Sequence, residues 1–234
     1  QEDVPPIIVM KCNKSKAIFC HLVLHKGNSD EWVIERCVKD INVLGWSDLA
    51  IKCDQEPAIV ALQNSIVESR KTISDANIRT LVENSPAHEH QSNGAVENGV
   101  KEVKGLFRSI KDFLETSLKV TLNFDHPIIA WLVEHVSTII IRTTIGQDGR
   151  TPYERIKGRR ANKPLLNFCE YVMWRIPQEL DKAPGAEIRW KDGVFLGING
   201  RTDEYLIGDV DGIHKTRSIK RRPPDQMWNR EAIE

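Results

Sequence analysis

Two carboxylates in this sequence stand where metal-assisted chemistry could use them. Asp54, in IKCDQEPAIVAL, follows the short apolar run Leu49 to Cys53, which reads as a strand with the acid at its C-terminal end. Glu97, in SPAHEHQSNGAVENGVKEVKGLFR, lies near the start of a long amphipathic helix fed by a polar, Gly-containing loop. Val96, Val100, Val103, Phe107, Ile110 and Leu114 recur at steps of four and three, which places them on one buried stripe. Glu97, Lys101, Lys104, Arg108 and Lys111 follow the same steps one residue further round, so one acid is succeeded by four cations on a single ridge. Such a ridge can hold a metal at one end and a phosphate backbone along the rest. Two carboxylates on adjacent rigid elements, with room for oxygen ligands, are what a Mg²⁺ site needs, and a pair of such ions can promote phosphodiester chemistry. Plainer uses exist for both acids. Asp54 can cap the helix that Pro57 opens, and Glu97 can pair with Lys101 across one helical turn on a solvated face.

The elements that must position these residues can be read in order. Gln1 to Pro6 reads as a linker, and Ile7 to Cys12 and Ala17 to Leu24 as hairpin strands around Asn13-Lys14-Ser15-Lys16. Asn28-Ser29-Asp30 supplies an N-cap for a helix burying Ile34, Cys37, Val38, Ile41 and Leu44 and stopping at Gly45. After the Asp54 strand, Pro57 opens a helix with Ile59, Leu62 and Ile66 inward, and Ile78 to Val82 forms another strand. A very apolar helix spans about His126 to Ile145 and ends at Gly146 to Gly149. Beyond Thr151-Pro152 the period changes to short alternating strands, Phe168 to Ile176, Gly193 to Ile198, Glu204 to Ile207 and His214 to Ile219. The expected organisation is an α/β domain over 1–150, a basic linker over 151–164 holding Arg159 and Arg160, a small β-barrel over 165–222 and an irregular tail over 223–234.

Composition restricts the partners. The 234 residues carry no net formal charge, yet fifteen Lys/Arg against nine Asp/Glu between Arg155 and Arg222 leave that region at +6. A basic C-terminal third fits a polyanionic partner. The five cysteines form no CxxC pair and lie mostly in apolar runs, which fits buried free thiols in a reducing compartment. His21 and His25 alternate along a strand and do not indicate zinc. The longest apolar run, Ile128 to Ile141, is interrupted by Glu134 and His135 and is too short to span a bilayer, so no membrane partner is expected.

The segments KCDQEPAIVAL, SPAHEHQSNGAVENGVKEVKG, TPYERIKGRR and WKDGVFLGI follow one another as in the Pol polyprotein of copia-type LTR retrotransposons. From Lys52 to Arg222 the chain resembles the later part of the integrase core and the β-rich segment after it. Each piece alone is weak, but the Q-x-N-G-x-x-E block followed by TPYE and G-x-FLG is specific in combination. The resemblance implies an RNase H-like mixed sheet flanked by helices, followed by a small SH3-like β-barrel. Asp54 and Glu97 resemble the second and third members of the acidic triad, and so are the implied catalytic residues and ligands of Mg²⁺ or Mn²⁺. Lys101 and Lys104 resemble helix cations that touch element DNA, with Arg108, Lys111, Arg159 and Arg160 as further candidates for DNA contact. The implied partners are double-stranded DNA, both element ends and target, and further copies of the full-length protein; the implied location is nuclear.

The chain also departs from that pattern. Between Asp54 and Glu97 lie 42 residues, more than the spacer usual in the family, and the extra length is expected in the polar Glu68 to Asn77 segment. The triad's first acid belongs on a strand before the Ile7 hairpin, and Glu2 and Asp3, in a Pro-ended linker, are not convincing replacements. The sequence begins at Gln1 rather than Met, so it is expected to be an N-terminally truncated piece without the zinc-binding module, its sheet lacking a central strand between Ile7–Cys12 and Leu49–Cys53. Three readings remain open: a fragment of an integrase that joins element DNA to target DNA, inactive by itself; an inactive or domesticated nucleic-acid-binding module; and a plain α/β interaction domain.

Overall fold

A computed structural model describes residues 4–73, 79–84, 90–177 and 189–233. Residues 85–89, in the loop expected before the long helix, fall outside it, as do 74–78, in the expected spacer insertion, and Glu2 and Asp3. The described chain divides into two compact units that interleave in sequence, residues 1–103 with 140–160, and 104–139 with 161–234.

In the first unit, β1 (Ile7–Lys11) and β2 (Ile18–Leu22) form an antiparallel hairpin, closed by Cys12 N–H to Ala17 O and by Lys16 at φ 64. Helix α1 (Glu31–Val43) starts where the Asp30 carboxylate accepts the Trp32 N–H, and the chain turns away at Gly45 with φ 73, a conformation that suits glycine. Next, β3 (Asp48–Cys53), α2 (Pro57–Ile73) and β4 (Arg79–Asn84) make a crossover unit whose strands pair in parallel from Asp48↔Arg79 to Cys53↔Asn84. One apolar core holds these pieces together. Ile8 and Val23 of the hairpin, Val33, Cys37, Val38 and Ile41 of α1, and Leu62 and Ile66 of α2 are buried in it, with Met10, Leu49 and Ile51 packed against them. The opposite face of the hairpin is met by α3 (His90–Leu118), where Gly99 lies against the Lys11 and Ile18 side chains. The mixed α/β layering read from the sequence is therefore present. Among the described residues the strands form two two-stranded sheets, β1-β2 and β3-β4, with no ladder between them.

Buried polar side chains fasten this unit. Arg70, 2% exposed, donates from α2 to the Thr80 hydroxyl (3.1 Å), the Asn42 side-chain amide oxygen (3.3 Å) and the Trp46 backbone carbonyl (3.4 Å). His21 and Asp40 meet at 2.5 Å and tie β2 to α1. The end of α5 (Pro152–Lys157) joins the same unit through Arg155, which donates to Ser15 O at 3.0 Å.

Helix boundaries differ from the sequence reading in two places. The polar run Gln91 to Gly94, expected as loop, is already helical in α3, since nothing between Pro86 and Pro127 blocks helical propagation. Glu68 to Ile73, part of the segment expected to hold the extra spacer length, extends α2, and Arg70 on that last stretch is anchored between β4 and the end of α1.

The second unit contains the later part of α3, most of α4 (Ile128–Thr143), and a five-stranded antiparallel sheet in the order β8-β7-β6-β5-β9. Its strands are β5 (Tyr171–Arg175), β6 (Trp190–Ile198), β7 (Tyr205–Asp209), β8 (Gly212–Thr216) and β9 (Ile219–Arg221). The single strand expected over His214 to Ile219 is thus two. At the break the Thr216 hydroxyl donates to Arg175 O at 2.9 Å, turning the chain from one sheet edge to the other. Three residue steps reach at most about 11 Å, whereas four flat strand spacings would need roughly 19 Å. The sheet must therefore roll up. Val172, Trp174, Phe195, Ile198, Tyr205 and Ile207 fill its interior, and Glu170, fully buried, accepts two bonds from Arg221 at 2.5 and 2.9 Å. The tail continues past β9 through a short 3-10 turn, Pro224–Gln226, and Met227 O accepts the Tyr171 N–H at 2.8 Å.

Gly193 of the WKDGVFLGI segment is dictated by packing: a Cβ there would lie 2.5 Å from Ile207 Cγ2 and 2.8 Å from Gly208 O. Gly193→Ala is expected to cost about 1–3 kcal/mol, read as a lower midpoint in thermal melts of the full chain. A second expectation concerns acid. His135 of α4 is 1% exposed, lies between Phe168 and Phe195 at ring distances of 5.2 and 5.6 Å, and burial pushes its imidazole down to about 4. The unfolded chain takes up this proton near pH 6.5, so the stabilisation is complete above that value and is lost as pH falls toward 4, by up to about 3 kcal/mol. His135→Leu should remove this component, so wild type should lose several degrees more than the variant between pH 7 and 4.5.

Candidate metal and nucleic-acid site

Asp54 follows the last residue pair of β3 with β4, at an exposed position. The strand end is fixed from below: Gln63 of α2, 2% exposed, donates its amide to Ile51 O (2.7 Å) and Glu83 O (3.3 Å). Leu49 and Ile51 face the core, which turns the alternate residues Ala50 and Lys52 outward. Asp54 does not cap α2, because it is the Glu56 carbonyl that accepts the Ile59 and Val60 N–H groups. Burial raises the neighbouring Cys53 thiol, and the Asp54 charge adds to that rise.

Glu97 sits about two turns into α3 and is exposed, while Val103 on the adjoining stripe is 1% exposed and Val96 and Val100 are half-buried. The one-turn pair with Lys101 is not formed. Among the described residues neither Asp54 nor Glu97 takes a hydrogen-bond or ion-pair partner, so both keep all their oxygen lone pairs for other ligands. They belong to the same unit. Among the described residues no group of three or more His, Cys, Asp or Glu side chains could hold a metal ion. Carboxylate oxygens are donors that a Mg²⁺-type ion takes, and such an ion completes its shell with water and phosphate oxygens.

The cations expected to contact DNA divide into two groups. Lys101, Lys104 and Arg108 are exposed along α3 without ion-pair partners among the described residues. Lys111 differs. It is half-buried, pairs with Glu115 at 2.6 Å and lies over the Phe124 ring, while Glu115 also accepts the Leu122 N–H. Against the opposing effect of burial, these bonds hold the Glu115 carboxyl below its usual range, so Lys111 serves the end of the helix. Arg159 stacks toward the buried Tyr153 ring, 5.8 Å from its centre, and Arg160, 90% exposed at its side chain, pairs with Glu154 at 3.3 Å.

Most of TPYERIKGRR thus maintains structure. Thr151 and Glu154 form a reciprocal capping box, Pro152 occupies the first turn, and Gly158 ends α5 at φ 68. Arg155 binds Asp148 as well as Ser15 O, and its guanidinium lies where a Cβ at Gly146 would stand, so a side chain there would displace it. The sequence did not reveal Lys26, whose ammonium grips both Glu56 oxygens at 2.9 and 3.1 Å just beyond Asp54. Thirty residues separate the pair and no local pattern connects them.

Comparison with protein-family profiles and with curated protein sequences yields no match. Among solved structures, one similar chain comes from the cryo-EM structure of the simian T-cell lymphotropic virus intasome in complex with PP2A regulatory subunit B56 gamma, at 15% identity and TM-score 0.48, over 93% of this chain and 73% of that one. Another is the catalytic core domain of BIV integrase, at 17% identity and TM-score 0.45, over 65% of this chain and 85% of that one.

Because Asp54, Glu97 and Lys101 are exposed and take no hydrogen-bond or ion-pair partner among the described residues, Asp54→Asn, Glu97→Gln and Lys101→Glu should each leave the thermal midpoint within about 2 °C of wild type, since surface changes of this kind cost at most a few tenths of a kcal/mol. Circular dichroism melts of the three variants check this.

Proposed function

We propose that this chain is the later part of a retroelement integrase of the copia-type Pol family, a polynucleotidyl transferase that joins element DNA ends to target DNA. The observation that carries the reading is the freedom of Asp54 and Glu97. Each had an ordinary structural use available, as helix cap and as salt-bridge partner, and neither is spent on it. In the reaction class proposed, an oxygen nucleophile of one DNA strand attacks a phosphorus of another, a new P–O bond forms, and the old P–O bond breaks with its oxygen leaving as an alcohol. Divalent ions, when bound, activate the attacking oxygen and offset charge on the leaving one. Asp54 and Glu97 supply carboxylate oxygens to hold them, while Lys101, Lys104 and Arg108 hold the phosphate backbone in register.

In the same reading the two short sheets are parts of one RNase H-like sheet. A strand bearing the first acid would lie between β1 and β3 and come from upstream of Gln1, and the rolled β5–β9 sheet corresponds to an SH3-like barrel. The assignments to residues 1–150 and 165–222, the nuclear location and the assembly of several copies on DNA belong to this proposal. A second reading, a nucleic-acid-binding module without catalysis, is favoured by the ridge itself, since Lys101, Lys104 and Arg108 can engage phosphates with no metal.

The chain as it stands should not join DNA strands. Extended upstream through a strand ending in Asp, it should do so with Mg²⁺ or Mn²⁺, and Asp54→Asn or Glu97→Gln should abolish joining, as read by oligonucleotide strand transfer. Robust joining by the unextended chain would overturn the reading. Persistent inactivity of the extended chain alongside DNA binding that Lys101→Glu weakens across sequences, with a shallower salt dependence, would select the binding module.

A further inference from the structure

The parallel pair β3-β4 has two outer sides. The side beside β3 is the one an upstream strand would take, whereas beside β4, among the described residues, no strand pairs. Arg79 N–H donates inward to Ser47 O at 3.2 Å, so the main-chain groups of Arg79, Leu81 and Glu83 point toward β3. Those of Thr80 and Val82 therefore point outward. The edge they form has no proline and no bulge, and its centre, Thr80-Leu81-Val82, carries no charge. Leu81 is 45% exposed on one face of the strand and Val82 43% exposed on the other. An edge of this kind is a template for another strand.

We infer that β4 is a self-association edge, on which β4 of a second copy pairs antiparallel to make one four-stranded sheet in the order β3-β4-β4-β3. The residues select both the partner and the register. Only outward-pointing residues can exchange ladder bonds, so Thr80 or Val82 must meet Thr80 or Val82 of the second copy. Thr80 on Val82 places Leu81 opposite Leu81 of the second copy and Arg79 opposite its Glu83, and the two-fold axis repeats that charge pair. Thr80 on Thr80 would instead set Leu81 against Arg79, and Val82 on Val82 would set it against Glu83. In the favoured register the sheet also continues the pattern into β3, where Asp48 lies opposite Arg79 and Lys52 opposite Glu83. Across the four strands the row then reads Asp48, Arg79, Glu83, Lys52, with the sign alternating at every step. The row beside it reads Ala50, Leu81, Leu81, Ala50. All six of these side chains are exposed, on the face opposite to Leu49 and Ile51. Opposite charges directly across a strand pair attract and like charges repel. A foreign strand would need this same charge order, and a second copy has it by construction. Nothing in the pairing depends on the integrase reading.

Sedimentation equilibrium of the full chain tests it. One strand pair buries less than the roughly 800 Å² per partner of a standard stable complex, so the dimer should be weak, and wild type should pass from monomer toward dimer between about 10 µM and 1 mM. Arg79→Glu sets acid against acid at both ends of the pair, and Glu83→Arg sets base against base, so each should weaken the dimer by about ten-fold or more. Mixed in equal amounts, the two variants should associate with each other about as well as wild type does with itself, because each supplies the opposite charge at both positions. Only the antiparallel register centred on Leu81 gives that recovery. A wild type still monomeric at about 1 mM overturns the inference. A dimer that both variants leave unchanged overturns it too, since its contact lies elsewhere, and variants that weaken the dimer without recovering in the mixture rule out the pairing of Arg79 with Glu83. Arg79 and Glu83 are exposed, so both variants should fold as wild type does, and a thermal melt verifies it.

Discussion

The first unit depends on an apolar core that does the work a continuous sheet would normally do. With no ladder between β1-β2 and β3-β4 among the described residues, backbone hydrogen bonds do not bind the two sheets to each other. A five-residue ladder would contribute on the order of 5 kcal/mol at about 1 kcal/mol per bond. Eight buried side chains from the hairpin, α1 and α2 contribute roughly 2 kcal/mol each. Burial is the larger effect, and it fixes the strands through the helices behind them. The position of Asp54 is accordingly set by α2, through Leu62, Ile66 and the Gln63 amide, more than by any strand beside β3 on its open edge.

The distribution of partnered and unpartnered charges follows from the cost of burial. Arg70 and Glu170 are almost or wholly buried, and each is surrounded by donors or acceptors, because an ion removed from water without them would cost several kcal/mol. Asp54, Glu97, Lys101, Lys104 and Arg108 remain in water, where no such demand exists. Lys111 marks the transition along α3, since its half-burial beside Phe124 is matched by a short pair with Glu115. A ridge that looks uniform in sequence therefore has two physical roles.

The segments that resemble a known family divide in the same way. WKDGVFLGI and TPYERIKGRR are mainly instructions for folding: Gly193 admits β7 and Trp174 at close range, and Thr151, Pro152, Glu154 and Gly158 begin and end a helix of six residues. The Asp54 and Glu97 segments instead place exposed carboxylates at a strand end and on a helix face, without a hydrogen-bond or ion-pair partner among the described residues. Similar-looking motifs thus carry different kinds of constraint.

Local chemistry determined much of this protein in the sequence alone. Alternation gave β1, β2 and most of the barrel strands, the four-and-three spacing gave the buried stripe of α3, and Asp30 and Gly45 gave the limits of α1, because periodicity and capping act between residues a few positions apart. The candidate acids were legible for the same reason, as a strand terminus and a helix ridge. Only tertiary structure decided that Glu68 to Ile73 is helix, since Arg70 is anchored by residues on β4 and α1, and that His214 to Ile219 bends into two strands, since Thr216 bonds to Arg175 across the sheet. It alone decided which charges are free: whether Glu97 pairs with Lys101, whether Lys111 is committed to Glu115, and whether Glu56 is held by a lysine thirty residues away are matters of burial and distance, which arise only once the core has formed.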